Sequence, residues 1–153
     1  MIYNLHVDRR EAMIVLAYDH RGYGLMTKVK KYLESKKLEY VEYASSVYDA
    51  SDSYAQFAKE ANKKVLENSN NRGIYCCRTG IGITMSANRQ KGIRAGLCHD
   101  TYTVRLARND DNINVLCISG ETAFCRVKKM IDVFLNTDFE GGRHIERLAE
   151  LDK

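Results

Sequence analysis

Short apolar runs and amphipathic stretches take turns along this chain, and that alternation narrows the folds open to it more than any other feature. Met13 to Tyr18 is an unbroken apolar run of strand length, as expected for a strand buried on both faces. Gly22 to Lys37 then carries Leu25, Met26, Val29, Tyr32 and Leu33 at helical spacing. Its lysines, Lys28, Lys30, Lys31, Lys36 and Lys37, fall mostly on the other face and read as solvated. The pattern predicts a strand over 38–43, a helix carrying Tyr54, Phe57, Ala58, Ala61 and Val65, and a turn over 68–73. Further strands are expected over 74–77, 93–98 and 114–118, and helices over 82–89, 101–108 and 121–135.

Strands alternating with helices at these lengths imply right-handed βαβ crossovers and a mostly parallel sheet. The expected fold is therefore α/β: a single-domain, Rossmann-like three-layer sandwich with a five-stranded parallel sheet. Ligands in such folds sit beyond the C-terminal ends of the strands. Chemistry is expected just after Tyr18, Cys77, Cys98 and Ile118.

A chain of 153 residues buries a core without disulfide or metal staples. No apolar run reaches the length of a membrane span, and nothing resembles a signal peptide, so no membrane role is expected. Five cysteines, at 76, 77, 98, 117 and 125, are odd in number and lack C-x-x-C spacing. That pattern argues against a disulfide framework or zinc site and for a reducing, cytoplasmic setting. A net charge of +4 suits anionic substrates but is too small and scattered to imply nucleic acid. Residues 1–12 are mixed in character and read as an appended segment ahead of a domain over 13–153.

Three strand-end or terminal motifs carry candidate chemistry. Cys77-Arg-Thr-Gly-Ile-Gly82 is a glycine-bearing turn entering a helix, where free N–H groups and the helix dipole can hold an anion. The same field favours a thiolate at Cys77, which would serve as a general base beside an oxyanion pocket. Read alone, the turn is equally well a tight strand-to-helix connection. Asp19-His20 after the first strand is a proton-transfer pair or, more simply, a helix cap. Arg143 and Arg147 stand four apart, so one helical face would present both to a phosphate. The plainer reading is a surface helix balanced by Glu146 and Glu150.

The combination says more than its parts. D-H-x-G, C-x-T-G-I-G, A-N-x-x-K-G-I-R-A and F-E-G-G-R-H-x-x-R occur in that order in one chain. The set resembles the ribose-5-phosphate isomerase B family, which includes the subunits of galactose-6-phosphate isomerase. The resemblance implies aldose–ketose isomerisation of a sugar phosphate through a cis-enediolate, without metal or cofactor. It implies Cys77 as the base, with Thr79, Gly80 and Gly82 around the enediolate oxygens. It also implies substrate contacts from Asp19, His20, Tyr54, Asn88 and Asp111, and phosphate contacts from Arg143, Arg147 and His20. Sites in the family form at a dimer interface, which implies a homodimer or larger homo-oligomer.

Two positions depart from the family pattern. Arg78 stands where glycine is usual, so it would narrow the pocket or add a contact. Asp110 stands at the histidine assigned to opening the sugar ring, and Asp111 at the neighbouring asparagine. Ring opening then falls to His20 ahead of His99 or Asp110. Ribose 5-phosphate is the expected substrate; a hexose 6-phosphate, or a weakly active sugar-phosphate binder, are the alternatives.

Overall fold

The computed structural model describes residues 12–153. The appended segment expected over 1–12 therefore lies, Ala12 apart, outside the described residues. The elements run β1 (Ile14–Tyr18), α1 (Tyr23–Ser35), β2 (Tyr40–Tyr43), α2 (Tyr54–Leu66), β3 (Arg72–Cys77) and α3 (Ile81–Ala87). There follow β4 (Ala95–Leu97), α4 (Thr101–Asn109), β5 (Val115–Ser119), α5 (Phe124–Asn136) and α6 (His144–Leu151).

The strands form one sheet in the order β2-β1-β3-β5-β4, and every neighbouring pair is parallel. Strand periodicity sorts the side chains into two cores. Ile14, Leu16, Tyr18, Ile74, Cys76, Leu116 and Ile118 face α1, α4 and α5, whose Met26, Leu33, Val104 and Ile131 complete that layer. Val15, Ala17, Tyr75, Cys77, Val115 and Cys117 face α2 and α3, meeting Ala58, Ala61, Val65 and Ile83. The three-layer expectation holds, and the five apolar runs read as strands are the five strands.

Boundaries moved where local chemistry overruled periodicity. β4 keeps three residues of the six expected, and Asn88 brackets its first residue, Ala95: Nδ2 donates to the carbonyl and Oδ1 accepts the N–H, each at 2.8 Å. Ser53 starts α2 by accepting the N–H of Gln56 at 3.4 Å, a cap of the kind worth about 1 kcal/mol. Lys30 is not simply solvated: it donates to Glu42 at 2.8 Å, and Glu42 also accepts the hydroxyl of Tyr18 at 2.6 Å. Burial, with that bond to Glu42, raises Tyr18 to about 12. Four cysteines are buried and Cys125 is exposed, all of them free thiols. No described helix is long and apolar enough to cross a membrane.

Candidate active site

Parallel β1, β3 and β5 are neighbours, so the loops leaving their C-terminal ends converge. The loop after β1 is ordered by Asp19, whose buried Oδ1 accepts the N–H groups of Arg21 at 3.0 Å and Gly22 at 3.2 Å. Asp19 thus fixes the turn ahead of α1; the helix itself starts at Gly22 without a side-chain cap. His20 turns toward the β2–α2 loop. Its Nδ1 lies 2.8 Å from Oδ1 of Asp52, which also accepts the His20 backbone N–H at 3.1 Å. Ser45 bonds the other carboxylate oxygen at 3.3 Å, and the Tyr48 ring packs edge-on against the imidazole. A neutral imidazole bonded this way carries its hydrogen on Nδ1, leaving Nε2 for a ligand.

Cys77 ends β3 on the α2–α3 side of the sheet, buried, with its carbonyl accepting the Gly120 N–H at 2.8 Å. The chain then turns sharply at Gly80, with φ of +80°. A methyl group there would lie 2.5 Å from Leu97 Cδ1 and 3.0 Å from the Ile118 backbone, so only glycine fits. Thr79 closes the turn by accepting the Ile81 N–H at 3.3 Å on its hydroxyl. The opening N–H groups of α3 have no intrahelical acceptor. Gly82 allows the Tyr54 ring to sit close: a Cβ at this position would be 2.7 Å from Tyr54 Cζ. Asn62 steadies the helix behind, accepting from Tyr75 at 3.0 Å and donating to the Ala87 carbonyl at 3.0 Å.

Arg78 does not narrow this turn. Its Nε donates to Glu121 at 3.0 Å, drawing the side chain toward the β5–α5 loop, while Ser119 bonds its carbonyl at 2.7 Å. Nor does position 78 need glycine's freedom, since Lys37 and Asn112 are the non-glycine residues at positive φ among those described.

The remaining candidates stand elsewhere. Asn88 follows α3 and is bound to the start of β4. Asp111 follows α4 and shares with Asn88 a groove of about 780 Å³ along the β4 edge. Arg143 and Arg147 belong to α6, which is anchored beneath the strand starts at both ends. Asn109 donates to Glu140 at 2.9 Å near its beginning, and Asp152 accepts the Gly92 N–H at 3.0 Å beyond its end. His144, buried in the first turn of α6, has Nε2 3.9 Å from Asp110. The candidate residues therefore form two groups. Asp19, His20, Tyr54, Cys77, Thr79, Gly80 and Gly82 are at the strand ends; Asn88, Asp111, Arg143 and Arg147 follow return helices and gather toward the strand starts. The six residues of β3 span about 20 Å at the usual rise, more than an arginine side chain reaches.

Two clusters bring potential metal-ligating atoms within 4.8 Å of one another: Asp19, His20 and Asp52, and Asp110, Glu140 and His144. Hydrogen bonds account for their proximity. Asp52 holds His20 in the first, and the Asn109 amide bonds both carboxylates of the second.

Residues 14–151 match the model of a protein family described as ribose/galactose isomerase. The chain belongs to this family. Among its relatives, the probable ribose-5-phosphate isomerase B of Mycoplasma pneumoniae is 39% identical over 139 residues, covering 90% of this chain and 91% of that one. The crystal structure of ribose-5-phosphate isomerase B from Mycoplasma genitalium with bound ribulose-5-phosphate aligns with a TM-score of 0.87 at 38% identity, over 92% of this chain and 94% of that one. The Thermotoga maritima ribose 5-phosphate isomerase aligns with a TM-score of 0.88 at 36% identity, over 93% and 98%.

Membership in the ribose/galactose isomerase family accords with the sugar-phosphate chemistry read from the motifs. The fold pairs three side chains with candidates in ways no local pattern signals: Asp52 with His20, Glu121 with Arg78, and His144 with Asp110. Asp52 lies in a Ser- and Asp-rich stretch outside the motifs that carry candidate chemistry. His144 was visible within G-G-R-H, but nothing local points it toward Asp110.

Proposed function

We propose that this protein isomerises ribose 5-phosphate to ribulose 5-phosphate. The reading is carried by the likeness to the Mycoplasma genitalium enzyme with its bound ribulose-5-phosphate. The Cys77 thiolate takes the proton from C2 of the open-chain aldose, leaving a cis-enediolate. Thr79 and the N–H groups around Gly80 and Gly82 hold its oxygens while a proton passes from O2 to O1. Cys77 then returns its proton to C1. The sugar is neither oxidised nor reduced overall, so the balance calls for no redox cofactor.

Cys77 stands at a strand end while the segment bearing Arg143 and Arg147 is anchored toward the strand starts, and this separation supports a homodimer as the active unit, with the α6 arginines of one copy closing the Cys77 site of the other beside His20. Ile81 and Met85 on α3, exposed at 54% and 58%, supply apolar surface next to the turn for that contact. Free buried thiols are in keeping with a reducing, cytoplasmic setting.

A hexose 6-phosphate is the second reading, motivated by the two departures from the family pattern, Arg78 in the Cys77 turn and Asp110 and Asp111 in the loop after α4. A coupled assay of the purified protein against aldose 5- and 6-phosphates decides between them. The expected outcome is highest kcat/KM for ribose 5-phosphate. Turnover of no aldose phosphate in the panel would leave only a binding role and overturn the assignment.

A further inference from the structure

We propose that a cavity beneath the starts of β3, β4 and β5 is a second oxyanion site, taking inorganic phosphate or a phosphate ester between Arg72 and Arg94. The cavity measures about 310 Å³, and Arg72, Arg94, Asn68, Ser69, Asn112 and Asn114 line it. It is separate from the Cys77 turn, and neither Arg143 nor Arg147 lines it.

A third guanidinium, that of Arg108, lies near the two that line the cavity. Arg94 donates from Nε to the Asn112 carbonyl at 2.8 Å, and Arg108 donates from Nη1 to the Asn112 side-chain oxygen at 2.9 Å. Asn112 is held at φ of +46° between them, a conformation uncommon outside glycine. Arg72 donates from Nη1 to the carbonyls of Ser69 and Asn71, at 2.9 and 2.8 Å. These bonds leave nitrogens of Arg72 and both terminal nitrogens of Arg94 without a bonded partner among the described residues. None of the three arginines forms an ion pair among the described residues. Asp138 and Asp152 act on them only at longer range, and Asp152 is already bonded to the Gly92 N–H.

Gathering like charges with no carboxylate in ion-pair contact is costly where they are partly withdrawn from water. Burial and then the neighbouring guanidiniums of Arg72 and Arg94 pull Arg108 down to about 10, burial and then Arg94 lower Arg72, and burial alone lowers Arg94 against the opposing charge of Asp152. A tetrahedral oxyanion between Arg72 and Arg94 relieves that repulsion and accepts the vacant N–H donors in charge-assisted bonds. The site is accordingly a binding site that stabilises the fold, independent of the isomerase assignment.

The test uses the full chain with Arg143→Ala and Arg147→Ala together, which removes the proposed substrate phosphate contacts. Its Tm is measured against inorganic phosphate and, separately, glycerol 3-phosphate, with sodium chloride matched for ionic strength. A saturable rise in Tm with inorganic phosphate alone identifies the free ion as ligand; a rise with both admits phosphate esters. Adding Arg72→Gln should weaken the apparent affinity at least about tenfold, as for loss of one charge-assisted contact. Arg72→Lys should keep part of it. In the otherwise wild-type chain, Arg72→Gln should leave kcat and KM unchanged, which separates this site from the catalytic one. A rise no larger than with chloride, or one that Arg72→Gln leaves intact, overturns the proposal.

Discussion

Oδ1 of Asp52 accepts two hydrogen bonds from one residue, the imidazole Nδ1 and the backbone N–H of His20. The pair joins the loop after β1 to the loop before α2, so the ring cannot turn without breaking it. Asp52→Asn keeps the shape but presents an amide that either donates to Nδ1 or accepts from it less strongly. Activity should fall by about tenfold, short of the ~10²-fold typical for losing an acid or base outright. Nitrogen-15 NMR of the ring should show the tautomer shifting away from hydrogen on Nδ1. An unchanged tautomer ratio and rate would remove Asp52 from the site.

Cys77→Ser should lower turnover by at least about 10²-fold, because a hydroxyl is a poor base near neutral pH. Arg147→Ala should act instead on KM, raising it about tenfold or more. Mixing the two inactive or weakened proteins gives the decisive measurement. A dimer holding one copy of each retains one site with both residues intact, so random exchange should restore about a quarter of wild-type activity. No recovery on mixing, with subunit exchange verified by mass spectrometry, would place cysteine and arginine in the same chain's site.

The two glycines of the turn should respond differently to substitution. Gly80→Ala meets Leu97 and the Ile118 backbone at a positive φ, and the backbone conformation alone costs about 1–3 kcal/mol. Urea unfolding should show a clear loss of stability. Gly82→Ala meets only the end of the Tyr54 ring, which can swing outward, so stability should hold while KM rises. Equal destabilisation by both would mean that the Tyr54 contact belongs to the fold rather than to the site.

Ring opening can be assigned by comparing the two reaction directions. Asp110 has its Oδ1 bonded to Asn109 at 2.8 Å and His144 nearby, a setting in which it orders the loop. Asp110→Asn should retain activity within about tenfold, below the general acid–base range. His20→Ala should slow the cyclic aldose more than the open-chain ketose. A collapse in Asp110→Asn with His20→Ala unaffected would make the aspartate the ring-opening group.

Much of this architecture was legible in one dimension. The apolar runs at Met13–Tyr18, 74–77 and 114–118 are long enough for a strand and too short for a helix, and the stripes between them repeat at helical spacing. Local periodicity therefore determined the α/β class, the parallel sheet and the strand-end position of Asp19 and Cys77. The glycine-bearing turn was visible as a strand-to-helix connection, and Gly80 within it takes the positive φ that such a reversal needs.

What only the tertiary structure decided is which residues share an end of the sheet. Each crossover helix carries the chain back to the strand starts, so Asn88, Asp111 and the segment bearing Arg143 and Arg147 were returned away from Cys77. Motif order along the sequence hides that separation, since it records adjacency in the chain and not direction through space. The pairs His20–Asp52 and Arg78–Glu121, 32 and 43 residues apart, likewise exist only because sheet order makes neighbours of loops distant in sequence. Hydrophobic period is a local property that survives in the sequence; hydrogen bonds between loops depend on the packing that brings those loops together.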